Sequence, residues 1–149
     1  MTKTRKKLNL PHTAVWICRD HTMKGKIMSK LAVCFPGIGY HCDKPLLYYS
    51  RNIACELGYK NYRNVSYIYH AGNIRGNEGK MKEAYEALFS QSEAGLADIK
   101  WSEYDDVLFI SKSIGTIIAA SYAKKYGLTC ARHILYTPLA QTFHFAPTN

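Results

Sequence analysis

Short apolar runs alternate with longer amphipathic stretches along the chain from Leu31 onward. The short runs are five or six residues long and rich in β-branched and aromatic side chains, as buried strands are. Four strands are predicted in this way, over residues 31–35, 65–70, 107–111 and 133–137. Strands that alternate with helices form a parallel sheet with helices on its faces, so we expect an α/β fold of three layers with a mostly parallel sheet.

The first helix is predicted between the first two strands. Asp43 is a suitable N-cap, Pro45 fits the first turn because no amide hydrogen is needed there, and Gly58 can end the helix. One apolar stripe of this helix is expected to face the sheet, and it consists of Leu46, Tyr49, Ile53, Ala54 and Leu57.

Two more helices complete the crossovers between strands. Apolar residues recur at steps of three and four from Met81 to Ile99, which predicts a long amphipathic helix. The third helix is predicted to begin at the turn around Ser113 and to end at Gly127. Because parallel strands need right-handed crossovers, few strand orders remain, and we place the first and third strands side by side in the centre.

A serine stands where the third strand passes into the third helix, in the sequence Ser111-Lys112-Ser113-Ile114-Gly115. A strand, a sharp turn and a helix can hold a serine hydroxyl on an exposed elbow, which makes Ser113 a candidate nucleophile. The residues two before and two after such a serine must be small because they approach the neighbouring strands, and Ser111 and Gly115 meet this condition. The amide of Ile114, at the start of the helix, can stabilise an oxyanion.

A glycine-rich loop, Pro36-Gly37-Ile38-Gly39-Tyr40, follows the first strand and is predicted to face Ser113 across the crevice where the winding direction switches. An oxyanion hole needs a second backbone amide, which we assign first to Ile38 and second to Gly39. The loop has neither a third glycine at dinucleotide-binding spacing nor the Gly-Lys-Ser/Thr of a phosphate loop. A nucleotide site is therefore not expected, and neither is any other cofactor.

The order strand, PGIGY loop, helix, strand, helix, strand, SKSIG elbow, helix, strand resembles the α/β-hydrolase family from about Leu31 to the C-terminus. The resemblance implies that Ser113 is the nucleophile and that the amides of Ile114 and Ile38 form the oxyanion hole. It also implies hydrolysis of a small ester, thioester or amide through an acyl-enzyme. The family places its catalytic acid and histidine after later strands, and this sequence ends at Asn149. We therefore expect a hydrolase-like domain that is incomplete at its C-terminus and impaired in activity.

Histidines within the chain are the remaining candidates for a base. His70, at the end of the second predicted strand, and His41, after the oxyanion loop, are expected at the same edge of the sheet as the elbow serine. His133 begins a strand and is expected at the opposite edge, His144 lies in the tail, and Asp43 is better explained as a helix cap than as a catalytic acid. The alternative function is a non-catalytic binding or interaction module on the same scaffold.

The composition, with 47% hydrophobic and 21% charged residues, is typical of one soluble globular domain. The net charge of +9 is concentrated at the N-terminus, since residues 1–30 hold eight Lys or Arg and one acid and so carry +7. We interpret residues 1–27 as a basic extension, either disordered or an artefact of a start codon upstream of Met28, and residues 28–149 as the domain. Nucleic-acid binding is not expected, because the domain itself is nearly neutral.

The sequence also bears on location and partners. No apolar run reaches the ~18 residues that span a bilayer, and the basic start is not followed by a secretory signal, so we expect a cytoplasmic protein with no membrane contact. Five cysteines, an odd number without a Cys-x-x-Cys or a zinc-type His pair, indicate reduced thiols and no metal site. The expected partner is a small-molecule acyl substrate. The last predicted strand has an unpaired edge, through which self-association is expected.

Overall fold

A computed structural model of the protein describes residues 28–70 and 72–145. These residues form, in chain order, β1 (Lys30–Phe35), α1 (Pro45–Glu56), β2 (Asn61–Asn64), α2 (Glu78–Leu96), β3 (Asp106–Lys112), α3 (Ile114–Lys125) and β4 (Arg132–Tyr136). Short 3-10 helices, Trp101–Glu103 and Ala140–His144, precede β3 and follow β4. The predicted basic extension, residues 1–27, lies outside the described residues.

The four strands form one parallel sheet in the order β2-β1-β3-β4. The prediction that the first and third strands lie side by side in the centre is therefore confirmed. Both central strands are almost entirely buried, and Leu31 of β1 pairs with Asn61 on one side and Val107 on the other. The carboxyl ends of β1 and β3 consequently meet at one edge of the sheet.

The second strand lies earlier in the chain than predicted. It comprises Asn61–Asn64, whereas residues 65–70, predicted as a strand, are irregular chain that leaves the sheet. Val65 is buried and its amide still bonds the Cys34 carbonyl at 2.9 Å, but Ile68 and His70 are exposed. The prediction was wrong because β2 is a short edge strand. Such a strand has one neighbour and little burial, so its sequence NYRN carries no apolar run.

Helix α1 differs from the prediction in its cap and in its buried face. The N-cap is Lys44, which makes no side-chain capping bond, and not Asp43, whose carboxylate lies 3.5 Å from the Arg51 guanidinium. The residues that face the sheet are Leu47 and Ala54. Apart from Ala54, the predicted stripe is exposed to solvent, with Leu46 at 42%, Tyr49 at 63%, Ile53 at 56% and Leu57 at 66%. Periodicity identified an apolar stripe, but it did not show which side of the helix rests on the sheet.

Helices α2 and α3 agree with their predicted repeats. Asn77 caps α2 by accepting a hydrogen bond from the Lys80 amide at 2.9 Å, and Ala84, Leu88, Ser92 and Leu96 are buried along its inner face. Helix α3 is buried over most of its length and ends before Gly127, which has a φ of 64°. In the part of the chain that the structure describes, no helix is both long and apolar enough to cross a membrane.

The sheet separates two apolar cores, which gives the three layers expected of the α/β class. Alternate residues of β1 point to opposite faces: Leu31, Val33 and Phe35 join the core beneath α2 and α3, while Ala32 and Cys34 join the core beneath α1. The first core is larger and contains an aromatic cluster in which the rings of Phe35 and Phe109 are 4.9 Å apart. Two helices therefore cover one face of the sheet, whereas α1 covers the other.

Candidate active site

Ser113 joins β3 to α3 in an unusual backbone conformation, with φ 53° and ψ −125°. Of the residues described, only Ser113 and Thr137 have a positive φ without being glycine. Hydrogen bonds hold the conformation: the Ser113 amide donates to the Tyr136 carbonyl at 3.0 Å, and its carbonyl accepts from the Thr116 amide at 2.9 Å. Neighbouring strands and the first turn of α3 thus fix a serine in a region that side chains rarely adopt.

The small residues on either side of Ser113 are required by the packing. A Cβ atom on Gly115 would lie 2.4 Å from the carbonyl oxygens of both Phe35 and Pro36, which is far closer than any real contact. Ser111 is fully buried and its hydroxyl donates to the Ile134 carbonyl of β4 at 3.2 Å. The start of α3 therefore rests directly on the backbone at the end of β1.

The loop after β1 packs against this elbow. Gly37 and Tyr40 exchange two backbone hydrogen bonds, of 3.1 and 3.2 Å, around a turn in which Gly39 has a φ of 70°. A Cβ atom on Gly37 would lie 3.3 Å from the Ser113 Cβ, so the loop passes close to the serine and leaves little room for a side chain. Within the described residues, the amides of Ile38 and Gly39 donate no hydrogen bond. Both predicted oxyanion donors therefore keep a free N–H group beside the elbow.

The amide of Ile114 is the third candidate oxyanion donor, after those of Ile38 and Gly39. It is the first residue of α3, where the amides have no partner within the helix, and its side chain is buried in the larger core. The positive end of the α3 dipole lies at the same point. The chain thus brings Ser113 and its candidate oxyanion donors to one edge of the sheet.

A cavity of about 320 Å³ lies beside the oxyanion loop. Its walls are residues 36–43 and 64–67, together with Tyr69, so Ile38 and Gly39 belong to the cavity lining and Ser113 does not. The lining combines aromatic rings, including Tyr40 and Tyr67, with polar groups. Burial raises the pKa of Tyr67 above its ordinary value, which keeps its hydroxyl protonated and able to donate.

The predicted base candidates do not contact Ser113. Among the residues described, no imidazole or carboxylate forms a hydrogen bond with the Ser113 hydroxyl. His41 lines the cavity and is exposed, with its Nδ1 4.0 Å from the Asp43 carboxylate. His70 is exposed in the irregular segment after β2, and not at the end of a strand as predicted. His144 is exposed at the end of the last 3-10 helix.

His133 lies on β4, away from the cavity. It is the second residue of β4, paired with Phe109, and its ring packs edge-on against the Phe109 ring at 5.3 Å. Burial lowers the pKa of His133 to about 4, and its Nδ1 has no hydrogen-bond partner in the described part of the chain. His133 is therefore a neutral core residue, separated from the elbow along β4.

Two threonines support the elbow and were not singled out from the sequence. The Thr116 hydroxyl donates to the Ser113 carbonyl at 2.6 Å, and it accepts from the buried Thr142 hydroxyl at 2.7 Å. Thr142 lies on the 3-10 helix after β4, which packs on α3. Because 26 residues separate the two threonines, no local sequence signal indicates the pair. The Lys112 ammonium lies over the Tyr40 ring, 4.6 Å from its centroid, and 3.5 Å from the Thr137 hydroxyl.

The four cysteines among the described residues are free thiols. The Cys42 Sγ, in the cavity wall, lies 3.6 Å from the Cys34 carbonyl and 3.5 Å from the Val65 carbonyl. Its hydrogen bond to Cys34 and its burial raise the pKa of Cys42, so this thiol stays protonated. Within residues 28–70 and 72–145, no three His, Cys, Asp or Glu side chains group in a way that could hold a metal ion.

Comparisons with known proteins do not extend this description. No family model matches the chain, and neither the curated proteins nor the solved structures contain a match. What the site can do therefore follows from its own geometry: a fixed serine, free backbone amides and an adjoining cavity.

Proposed function

We propose that this protein is a serine hydrolase of the α/β-hydrolase type, with Ser113 as the acyl-accepting nucleophile. The observation that carries the proposal is the backbone of Ser113, at φ 53° and ψ −125° between a buried strand and a helix. A non-glycine residue in this region costs roughly 1–3 kcal/mol, and such residues cluster at functional sites.

In the proposed reaction, the Ser113 hydroxyl attacks the carbonyl carbon of a small ester, thioester or amide. The carbonyl oxygen becomes an oxyanion and is stabilised by the amides of Ile114 and Ile38, with Gly39 as the alternative second donor. The alcohol, thiol or amine departs and leaves an acyl-enzyme, which water then hydrolyses to release the acid and regenerate the serine.

The serine proton needs an acceptor for this attack. His41 is the best candidate, because it lines the same cavity as Ile38 and because the Asp43 carboxylate lies 4.0 Å from its Nδ1. No described hydrogen bond links His41 to Ser113. We therefore expect ester hydrolysis at a rate roughly a thousandfold or more below that of an intact triad, because the oxyanion hole alone retains only part of the catalysis.

The cavity limits the substrate to a small molecule. A volume of about 320 Å³ is at the lower end of the range for ligand pockets. Because Ile38 and Gly39 line it, an acyl group bound there would lie close to the residues that we assign as oxyanion donors. The aromatic walls favour an apolar acyl or leaving group.

A fluorophosphonate probe tests the nucleophile, because it phosphonylates only an activated serine. We expect slow, stoichiometric labelling that is lost in Ser113→Ala. Ser66→Ala is the matched control, since Ser66 is an exposed serine that lines the cavity without a positive φ. Labelling that persists in Ser113→Ala contradicts the proposal.

One observation favours the alternative, a non-catalytic binding module. The structure has a cavity large enough for a small ligand, yet no histidine among the described residues forms a hydrogen bond with Ser113. The module would be favoured over the enzyme by two results obtained together. The folded protein takes up no probe, and its tyrosine fluorescence spectrum still changes on addition of a small aromatic carboxylic acid.

A further inference from the structure

The solvent-facing stripe of α1 consists of Leu46, Tyr49, Ile53 and Leu57. These side chains are 42–66% exposed, although each is large and apolar. Their spacing of three, four and four residues places them on one side of the helix, next to the buried side formed by Leu47 and Ala54. The structure describes no element that covers this α1 stripe.

We propose that the α1 stripe is a dimer interface in which two copies of the chain pack their α1 helices antiparallel about a twofold axis. The first argument is that the stripe is self-complementary. When the helices run antiparallel, Leu46 of one copy meets Leu57 of the other, and Tyr49 meets Ile53. Along the helix, both pairs are centred close to residue 51. A single twofold axis passing near that residue therefore brings both pairs together.

The second argument is charge. Helix α1 has no acidic residue in its first turn, and its N-cap is Lys44. The exposed Asp43 offsets the charge of Lys44, but Arg51 lies 3.5 Å from Asp43 and leaves this end of the helix positive in charge as well as in dipole. Glu56, at the opposite end, is exposed. In the antiparallel arrangement each Glu56 lies beside the N-terminus of the other α1, near Lys44, where a negative charge is stabilised.

The third argument is area. Four large side chains, each about half exposed, offer roughly 400 Å² of contiguous apolar surface per copy, the size of the largest apolar patch on many monomers, which is often a functional surface. Two stripes and their polar flanks approach the roughly 1,200 Å² at which specific interfaces begin. A dimer of this size is reversible and dissociates on dilution.

Sedimentation equilibrium of the full chain from about 1 to 100 μM tests the dimer. We expect the mean mass to rise towards twice 16.9 kDa with concentration. Ile53→Glu places a charge at the centre of the stripe and is expected to weaken dimerisation at least tenfold. Ile68→Glu makes the same change at a side chain that is 72% exposed outside the stripe, and it is expected to have no effect. Circular dichroism confirms that both variants are folded.

A charge reversal tests the orientation of the helices. Glu56→Lys alone brings two positive ends together and is expected to weaken the dimer severalfold, whereas adding Lys44→Glu to it is expected to restore the affinity. A wild-type chain that stays monomeric at about 100 μM, or a dimer that Ile53→Glu leaves intact, overturns the proposal. Failure of the double reversal to restore affinity overturns the antiparallel arrangement.

Discussion

Ser113 shows how a single residue can be specified by its neighbours. Its own side chain does not favour a φ of 53°, so the conformation comes from β4, which accepts its amide hydrogen, and from Thr116, which bonds its carbonyl. The sequence predicted the position of the elbow because small flanking residues are a local requirement. It did not predict the support from Thr142, because that contact depends on the tertiary fold.

The strain at Ser113 leads to a stability prediction. In urea denaturation, the free energy of unfolding of Ser113→Gly should exceed that of Ser113→Ala by about 1 kcal/mol, because glycine adopts this φ without steric cost. The larger conformational entropy of glycine in the unfolded chain reduces the gain but does not reverse it. Both variants lack the hydroxyl, so the comparison isolates the backbone. An alanine variant as stable as the glycine variant would show that the conformation is unstrained.

His133 predicts a dependence of stability on pH. Burial lowers the pKa of His133 in the folded chain to about 4, whereas an unfolded histidine titrates near 6.5. Between these values the unfolded chain binds a proton that the folded chain does not, so stability falls as the pH drops from about 6.5 to about 4. The loss amounts to roughly 3 kcal/mol at most.

Replacing His133 by phenylalanine separates this effect from other titrations. The new ring can keep the edge-on contact with Phe109, but it binds no proton. We expect the free energy of unfolding of the variant, measured in urea, to exceed that of wild type increasingly as the pH falls from about 7 to 5. A difference that stays constant with pH would show that His133 titrates normally.

At the scale of helices and strands, the most buried elements were predicted correctly from the sequence, and the errors occurred in two elements that are more exposed. Strands β1 and β3 and helix α3 are buried on nearly all sides. Their residues therefore form continuous apolar runs, which are a clear signal in the sequence. Strand β2 is half exposed, and α1 has more apolar surface than the sheet covers. For β2 and α1 the pattern of apolar residues was therefore ambiguous. Tertiary packing determined where the strand lies in the sequence and which face of the helix is buried.

The contact between α3 and β1 depends on one glycine. Gly115→Ala should destabilise the fold by roughly 2–4 kcal/mol, because a Cβ atom would lie 2.4 Å from two backbone carbonyl oxygens that cannot rotate away. Gly95→Ala is the matched control: it is also helical, and a Cβ atom there meets nothing within 4 Å. That control should gain up to about 1 kcal/mol from helix propensity. Similar unfolding midpoints for the two variants would contradict the packing described.

At the scale of the whole molecule, one carboxylate connects the strands at the end of the sheet opposite the elbow. Asp106 of β3 accepts from the Tyr59 hydroxyl at 2.8 Å and from Arg132 of β4 at 3.2 Å, and Lys30 of β1 lies 4.0 Å away. The Asp106 side chain is only 12% exposed. Burial, followed by the bond to Asp106, raises the pKa of Tyr59, so its hydroxyl remains a donor.

Asp106→Asn should therefore cost roughly 3 kcal/mol, because it removes the partly buried carboxylate charge that accepts from both Arg132 and Tyr59. Asp98→Asn removes another carboxylate–arginine pair, with Arg63 at 2.6 Å, but on the exposed surface. Solvent screens that pair, so we expect no measurable change in the unfolding midpoint for this control. Equal losses in the two variants would show that Asp106 acts no differently from a surface ion pair.

The strand order also has a consequence during synthesis of the chain. Every pairing in the sheet is parallel, and the central pair joins Lys30 to Asp106, 76 residues later in the sequence. At ribosomal rates of about 5–20 residues per second, β1 leaves the ribosome roughly 4–15 seconds before β3 can pair with it. Strand β1, with the apolar sequence LAVCF, thus spends that interval with one side unpaired. For a nascent chain this is the segment that a chaperone would be expected to protect.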